Sequence, residues 1–448
     1  MRVSLGNLPQ EVLHQVVIQL SAIDVATFEQ VCHKFQDLCG PVLWRSLCKT
    51  YFKYWNQHHE FPRRLAASVD ETDWKALFSM RFRLDNEIDR TIDDTLVTQS
   101  DRTRKVQYIV EHHWDAKDAL LRNSNVGSDR HDVLARRWHS AAILGCLHRY
   151  SAIRRWYEMG PTSTDKICLE EALAAFDGFA SHQDFVDIME VSHIFDGIVD
   201  DFKKRFPDHD DLSTRKIGAA LAQFVRTQNL VGIAEHEDVH YHDLQNNFIG
   251  HALRSERHSS LPLISVAIYC SIAKRLGLNA NLCCFPFHVI AILRSGNQEP
   301  VYFDPFRTAD EVPVSNLIAQ LESMGAPQGT HEKLLGVAST AQIVNRCARN
   351  IITSIQSLPR GFATDLRPST ESAFYAALWV LLVAPTGVNV DGSLLQQAAY
   401  LPVIVNHMQA HFPIGRLKLS IRFQPFLPYY RDPICEHRDF APSGVLSG

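Results

Sequence analysis

Residues 262–306 read PLISVAIYCSIAKRLGLNANLCCFPFHVIAILRSGNQEPVYFDPF. The opening stretch, Pro262–Leu276, starts on a proline suited to a first helical turn and stays apolar as far as Lys274 and Arg275, which predicts a buried helix. Three short runs rich in aliphatic and aromatic residues follow: Asn281–Phe285, His288–Arg294 and Val301–Phe303. Gly296 and Asn297 mark a hairpin turn between the last two. A helix followed by strands and a hairpin indicates an α+β core with a small antiparallel sheet.

The texture on both sides is helical. From Trp74 to about Ile233, apolar residues recur at helix spacing, notably in Lys105–Trp114, Leu134–Tyr157, Leu169–Phe179, Phe185–Arg205 and Thr214–Gln228, with no internal repeat. Residues 313–360 return to helix, clearest in Thr340–Ser357. A connection at Pro359–Pro368 leads to an apolar helix over Ser372–Leu382, and beyond Pro413 a proline-punctuated tail is expected to fray. The expected fold is mostly α around the small α+β core. The divisions are 1–60, 61–233 (helical), 234–312 (α+β), 313–412 (helical) and a tail over 413–448.

Composition excludes several classes. The 448 residues hold 45 basic and 50 acidic side chains, a formal charge of −5, which is no footprint of a nucleic-acid binder. An apolar content of 46 % with 21 % charged residues describes a globular chain without disordered bulk, and the length suggests two or three domains. No apolar run approaches the roughly 20 residues of a membrane span, Ala376–Ala384 being about half that. Pro9, Gln10 and Glu11 interrupt any signal-peptide layout. The 10 cysteines are scattered, with no CxxC pair, and Cys32, Cys39, Cys48 and Cys270 sit in apolar helical patterns. Buried thiols in a reducing cytoplasm or nucleus are expected, and no cysteine zinc site.

Residues 8–60 carry the densest helical pattern. Asn7 is a plausible N-cap, and Val12, Leu13, Val16, Val17 and Leu20 follow at helix spacing. A second helix is expected through Val25, Phe28, Val31, Cys32 and Phe35, and a third from Pro41 through Leu43, Trp44, Leu47 and Tyr51. Three helices this short offer more apolar surface than they can bury alone, which marks a protein-binding face. Leu8-Pro9-Gln10-Glu11-Val12-Leu13, Val16-Val17, Leu20, Asp24-Val25, Val31-Cys32, Phe35 and Leu43-Trp44 together resemble the F-box pattern, with Val for Leu at 12 and 25 and Phe for Trp at 35. The resemblance implies docking to the adaptor of a cullin ligase through Leu8, Pro9, Val12, Leu13, Val16 and Val17.

The segment from Trp74 to Ser357 resembles the SirB-type transglutaminase-like domain, which is found fused to F-boxes in some eukaryotic proteins. The resemblance is carried by Tyr241-His242-Asp243, Asn246-Asn247-Phe248, Leu261–Ser265, Lys274–Leu278, Phe285-Pro286-Phe287-His288, Phe303-Asp304-Pro305-Phe306 and the helix Gln342–Ile355. In transglutaminase and papain-like folds a Cys at a helix N-terminus is activated by a His and oriented by an Asp. His288 and Asp304 match that His and Asp across the hairpin, a spacing compatible with a hydrogen bond. The helix start at Leu261–Ser265 holds no cysteine, Cys270 lies about two turns in, and Cys283 and Cys284 lack a helix-end environment. The domain is therefore expected to be catalytically inactive, with His288 and Asp304 as a remnant pair. Few residues follow Arg438-Asp439-Phe440, so the small β-domain that often follows in that family, named for hemimethylated-DNA binding, is expected to be either lost in this branch or cut off by truncation of the sequence.

His236, His240, His242 and His251 invite a metal hypothesis, but no further ligand set accompanies them, so solvated or hydrogen-bonded histidines are expected. Lys203-Lys204-Arg205 and Arg215-Lys216 alternate with acidic residues and read as ion-paired surface. The resemblances together imply a non-catalytic substrate receptor of an SCF-type ubiquitin ligase. It would have adaptor and cullin as partners, an unknown protein target, no cofactor, no nucleic acid and no membrane. Two alternatives stand beside it: a hydrolase or acyl-transferase using Cys283 or Cys284 with His288 and Asp304, and an F-box scaffold that never joins a cullin.

Overall fold

The computed structural model describes residues 8–127, 132–159, 167–180, 188–233, 240–283, 285–296, 298–358, 369–384 and 403. The expectations at His236, Cys284, Asn297, Pro359–Pro368 and the tail 413–448 lie outside these residues. The chain divides into two compact units, Met1–Leu147 and His148–Gly448, with the boundary inside one long helix. None of the described helices is long and apolar enough to cross a membrane.

The first unit holds α1 (Gln10–Val17), α2 (Ala22–Phe28), α3 (His33–Leu38), α4 (Pro41–Tyr51), α5 (Phe61–Ala66), α6 (Trp74–Val97), α7 (Arg102–Glu111), α8 (Lys117–Ser124) and the start of α9 (Val133–Glu158). Ser21 caps α2 through Asp24 N–H, and Pro41 opens α4 at a position where a missing N–H costs nothing. The single helix expected over 25–35 is two helices. Cys32 is fully extended (φ −163°, ψ 164°) between them, which exposes Val31 and also Cys32, against the buried thiol expected there. Val17, Val25, Leu43, Trp44 and Cys48 share one core with Phe61, Trp74 and Phe78, so the N-terminal helices complete their interior with α5 and α6.

In the second unit α10 (Leu169–Ala180), α11 (Ile188–Arg205), α12 (Thr214–Thr227), α13 (Ile249–Arg254) and α14 (Pro262–Arg275) precede β1 (Asn279–Cys283), β2 (Ile290–Arg294) and β3 (Val301–Phe303). After the strands come α15 (Val314–Ser323), α16 (His331–Leu334), α17 (Thr340–Ser357) and α18 (Thr370–Val383). The sheet is antiparallel in the order β1-β2-β3, with Ala291 opposite Phe303 and Leu282 opposite Ala291. Its alternation buries both faces. Ala280, Leu282, Ala291, Leu293, Val301 and Phe303 join the core that holds α12 and α14, while Cys283, Ile290, Ile292 and Tyr302 pack with Leu317, Leu321 and Leu335. A side chain on Gly218 would lie 2.7 Å from Leu293 and 2.8 Å from Phe303, so glycine is what lets α12 lie flat on the sheet.

Candidate functional site

Two groups of residues were singled out by sequence, one in each unit. In the first, α1 is amphipathic with a division the pattern alone does not reveal. Leu13 and Val17, one turn apart, are 0 % exposed: Leu13 packs with Phe35 and Leu38, and Val17 with Trp44. Val12 and Val16, on the adjacent stripe, are 44 % and 36 % exposed. Leu8 is half-buried with its carbonyl accepting from Lys34 Nζ, and Pro9 is exposed. Of the six residues expected to dock, Leu13 and Val17 are thus turned inward, and Leu8, Pro9, Val12 and Val16 keep surface. One stripe of a helix this short has to supply the module's own core, and Leu13 and Val17 are that stripe. Ile18 and Ile23 add exposed apolar surface that the sequence reading had not included.

In the second unit the sheet ends bring His288 and Asp304 together. His288 precedes β2, Asp304 follows β3, and antiparallel pairing sets both at one end of the hairpin, with His288 Nε2 2.7 Å from Asp304 Oδ2. The preceding turn is strained. Phe287 has φ +60°, the His288 N–H donates to the Pro286 carbonyl at 2.7 Å, and the Phe287 ring is 90 % exposed. A bulky residue in this left-handed γ-turn is an outlier that its surroundings must hold in place. Arg346 on α17 donates to the Phe285 carbonyl at 2.9 Å and the His288–Asp304 bond clamps the other side.

The start of α14, where the resemblance places a nucleophile, carries a serine network. Pro262 opens α14 as the sequence indicated. Ser265, within its first turns, is 0 % exposed; its Oγ lies 2.7 Å from Ser260 Oγ and accepts from the Gly232 N–H at 3.1 Å. Gly232, at φ +93°, lies close to the Phe306 carbonyl, and Arg226 donates to the carbonyls of Pro305 (3.0 Å) and Phe306 (2.7 Å). These bonds tie the segment after Asp304 to the end of α12, and Gly232 to the start of α14. The serine hydroxyls are spent on backbone and on each other.

The candidate thiols fare no better. Cys283 points to the far face of the sheet from α14, where its Sγ donates to the Leu334 carbonyl at 3.4 Å. Burial pushes the Cys270 thiol up to about 12, disfavouring the thiolate. His240 pairs with Asp243 at 2.9 Å, and half-buried His251 donates its backbone N–H to Asp177; among the described residues His240, His242 and His251 do not meet as one ligand group.

Sequence reasoning missed Asp177. It is the lone charge in the apolar run Ala172–Ala180, and that was the available signal. Its carboxyl accepts the N–H groups of Gly250 and His251 at the start of α13, and burial raises its pKa to about 7. Arg275, within Lys274–Leu278, is structural: it holds Glu170 with two bonds (2.6 and 2.7 Å) and Asp196 at 2.8 Å, joining α14 to α10 and α11.

Against known proteins, residues 5–50 match an F-box-like family model and residues 190–349 match the model of the transglutaminase-like superfamily. No curated protein and no solved structure matches the chain.

Proposed function

We propose that this chain, which carries an F-box-like segment ahead of a transglutaminase-like core, is the non-catalytic substrate receptor of an SCF-type cullin ubiquitin ligase. The observation that carries the proposal is the apolar stripe Val12/Val16 beside Leu8 and Pro9, left at the surface within residues 5–50. Exposed apolar patches of this kind serve protein association. The second unit then holds a target protein, and ubiquitin transfer gains from proximity rather than from any chemistry of this chain. The non-catalytic reading is supported by the inward-turned Cys283 thiol and by the self-satisfied Ser260/Ser265 pair.

The test is recovery of the adaptor and the cullin by wild type and by Val12→Glu/Val16→Glu. Wild type recovers both, and the variant loses both while keeping its circular dichroism. Failure of wild type to recover either removes the proposal; an adaptor without a cullin makes the protein a ligase-independent scaffold.

The preserved His288–Asp304 bond favours one second reading, a thiol hydrolase or acyl-transferase using Cys283 or Cys284. Alkylation rates decide it: a cysteine labelling faster than a free model thiol in the native protein would support the enzyme, because a buried structural thiol reacts slowly.

A further inference from the structure

Between α4 and α5 the chain passes through Phe52–Asn56 and one 3₁₀ turn, Gln57–His59. This passage is pinned by two carboxylates. Asp118 accepts the N–H groups of Lys53 (3.2 Å) and Tyr54 (3.1 Å), and Asp115 Oδ1 accepts that of Asn56 (2.9 Å). Arg81, wholly buried, donates to the carbonyls of Asp115 and Tyr54 and stands 3.6 Å from Asp115 Oδ1. These partners occupy the Oδ1 side of Asp115 and leave Oδ2 to His59, whose Nε2 is 2.8 Å away.

His58 lies against its neighbour, with ring centroids 3.9 Å apart. One donor atom from each of His58, His59 and Asp115 falls within 4.8 Å of the others, and among the described residues no other three such side chains meet so closely. His59 and Asp115 are buried, while His58 is exposed.

We propose that His58, His59 and Asp115 bind a zinc ion through one nitrogen of each imidazole and Asp115 Oδ2, with water completing the coordination on the open side of His58. Two imidazoles and a carboxylate are a borderline donor set that suits zinc, which has no electronic preference among geometries. Tetrahedral bonds of about 2.0–2.1 Å set donors about 3.3 Å apart. The buried pair then opens by about half an ångström, and the exposed His58 closes the remainder by rotating. Asn56 and Arg81 fix the carboxylate from behind, as outer partners of metal ligands do. The Arg81 charge opposes a dication, so affinity in the micromolar range is expected rather than that of a zinc finger. The ion ties the turn that leaves the N-terminal helices to the segment that opens α8.

The test uses the full chain stripped with chelator and titrated with Co(II), then displaced by zinc. Visible absorption and calorimetry read the binding, with quenching of Trp55, whose ring lies 5.5 Å from that of His59, as a local reporter. Wild type is expected to bind one ion, with a melting temperature raised by zinc and restored by chelator. His58→Ala, an exposed change, melts as wild type does in chelator and binds at least about tenfold more weakly. Asp115→Asn loses binding as well. No saturable binding in the micromolar range overturns the proposal. So does a His58→Ala loss smaller than tenfold, which puts the ion on other ligands such as the exposed Cys32.

Discussion

Replacing Asp177 by asparagine should make the protein more stable at neutral pH and remove a pH dependence that wild type carries. The carboxyl is 5 % exposed, accepts backbone N–H groups from the start of α13, and has no hydrogen-bond partner for Oδ2 among the described residues. Its pKa rises from 3.8 to about 7 in the fold, burial outweighing the two N–H bonds. Between those values the folded state binds a proton that the unfolded state has released, so stability falls as pH rises, most steeply from pH 4 to pH 7, and is flat above. A rise of about three pH units at 1.36 kcal/mol each comes to about 4 kcal/mol in total, and more than half of it lies between pH 5 and pH 8. Asparagine keeps an acceptor for the α13 N–H groups and never ionises. Urea unfolding of wild type and Asp177→Asn at intervals over that range reads the difference directly. The variant's advantage should grow by about 2–3 kcal/mol from pH 5 to pH 8. An advantage that does not change with pH refutes the reasoning, because it would mean that Asp177 is charged alike in both states.

Three further outcomes are expected. Arg81→Met strips the counter-charge from buried Asp115 and Asp118 and should cost about 3–5 kcal/mol in urea unfolding of the first unit, where a loss under about 1 kcal/mol would show the network to be solvent-relaxed. Phe287→Gly removes the side chain from a positive-φ turn and should leave stability unchanged or raise it by about 1 kcal/mol, whereas Phe287→Val should lower it; the opposite order would mean that the exposed ring packs in solution. Leu13→Ala should cost about 2–5 kcal/mol and Val12→Ala less than about 0.5 kcal/mol, although the two are neighbours in sequence, and similar costs would contradict the division of α1 into an inner and an outer stripe.

Much of the architecture was legible because it is local. The helix Thr340–Ser357 lies where its 3.6-residue period predicts it and opens with a capping box between Ser339 and Gln342. The apolar run from Pro262, the proline at its start and the hairpin after Arg294 led to the α+β core. β1 departs from expectation, pairing over Asn279–Cys283 rather than 281–285, because the ladder ends before the Pro286–Phe287 turn re-aims the chain. The break at Cys32 was hidden for a related reason: an extended residue between two short helices leaves the apolar spacing nearly intact.

What the sequence alone determined is what neighbours along the chain decide: helix and strand periods, caps, the apolar excess of the N-terminal helices, and the His288/Asp304 spacing across one hairpin. Only the tertiary structure decided which α1 stripe is inside, which sheet face Cys283 takes, that Asp177 meets the N-terminus of a helix more than 70 residues away, and that Asp115 reaches His59 from 56 residues away. Each of these depends on the burial of a side chain by partners distant in sequence. Desolvation, which sets both accessibility and proton affinity, is fixed only once those partners are in place.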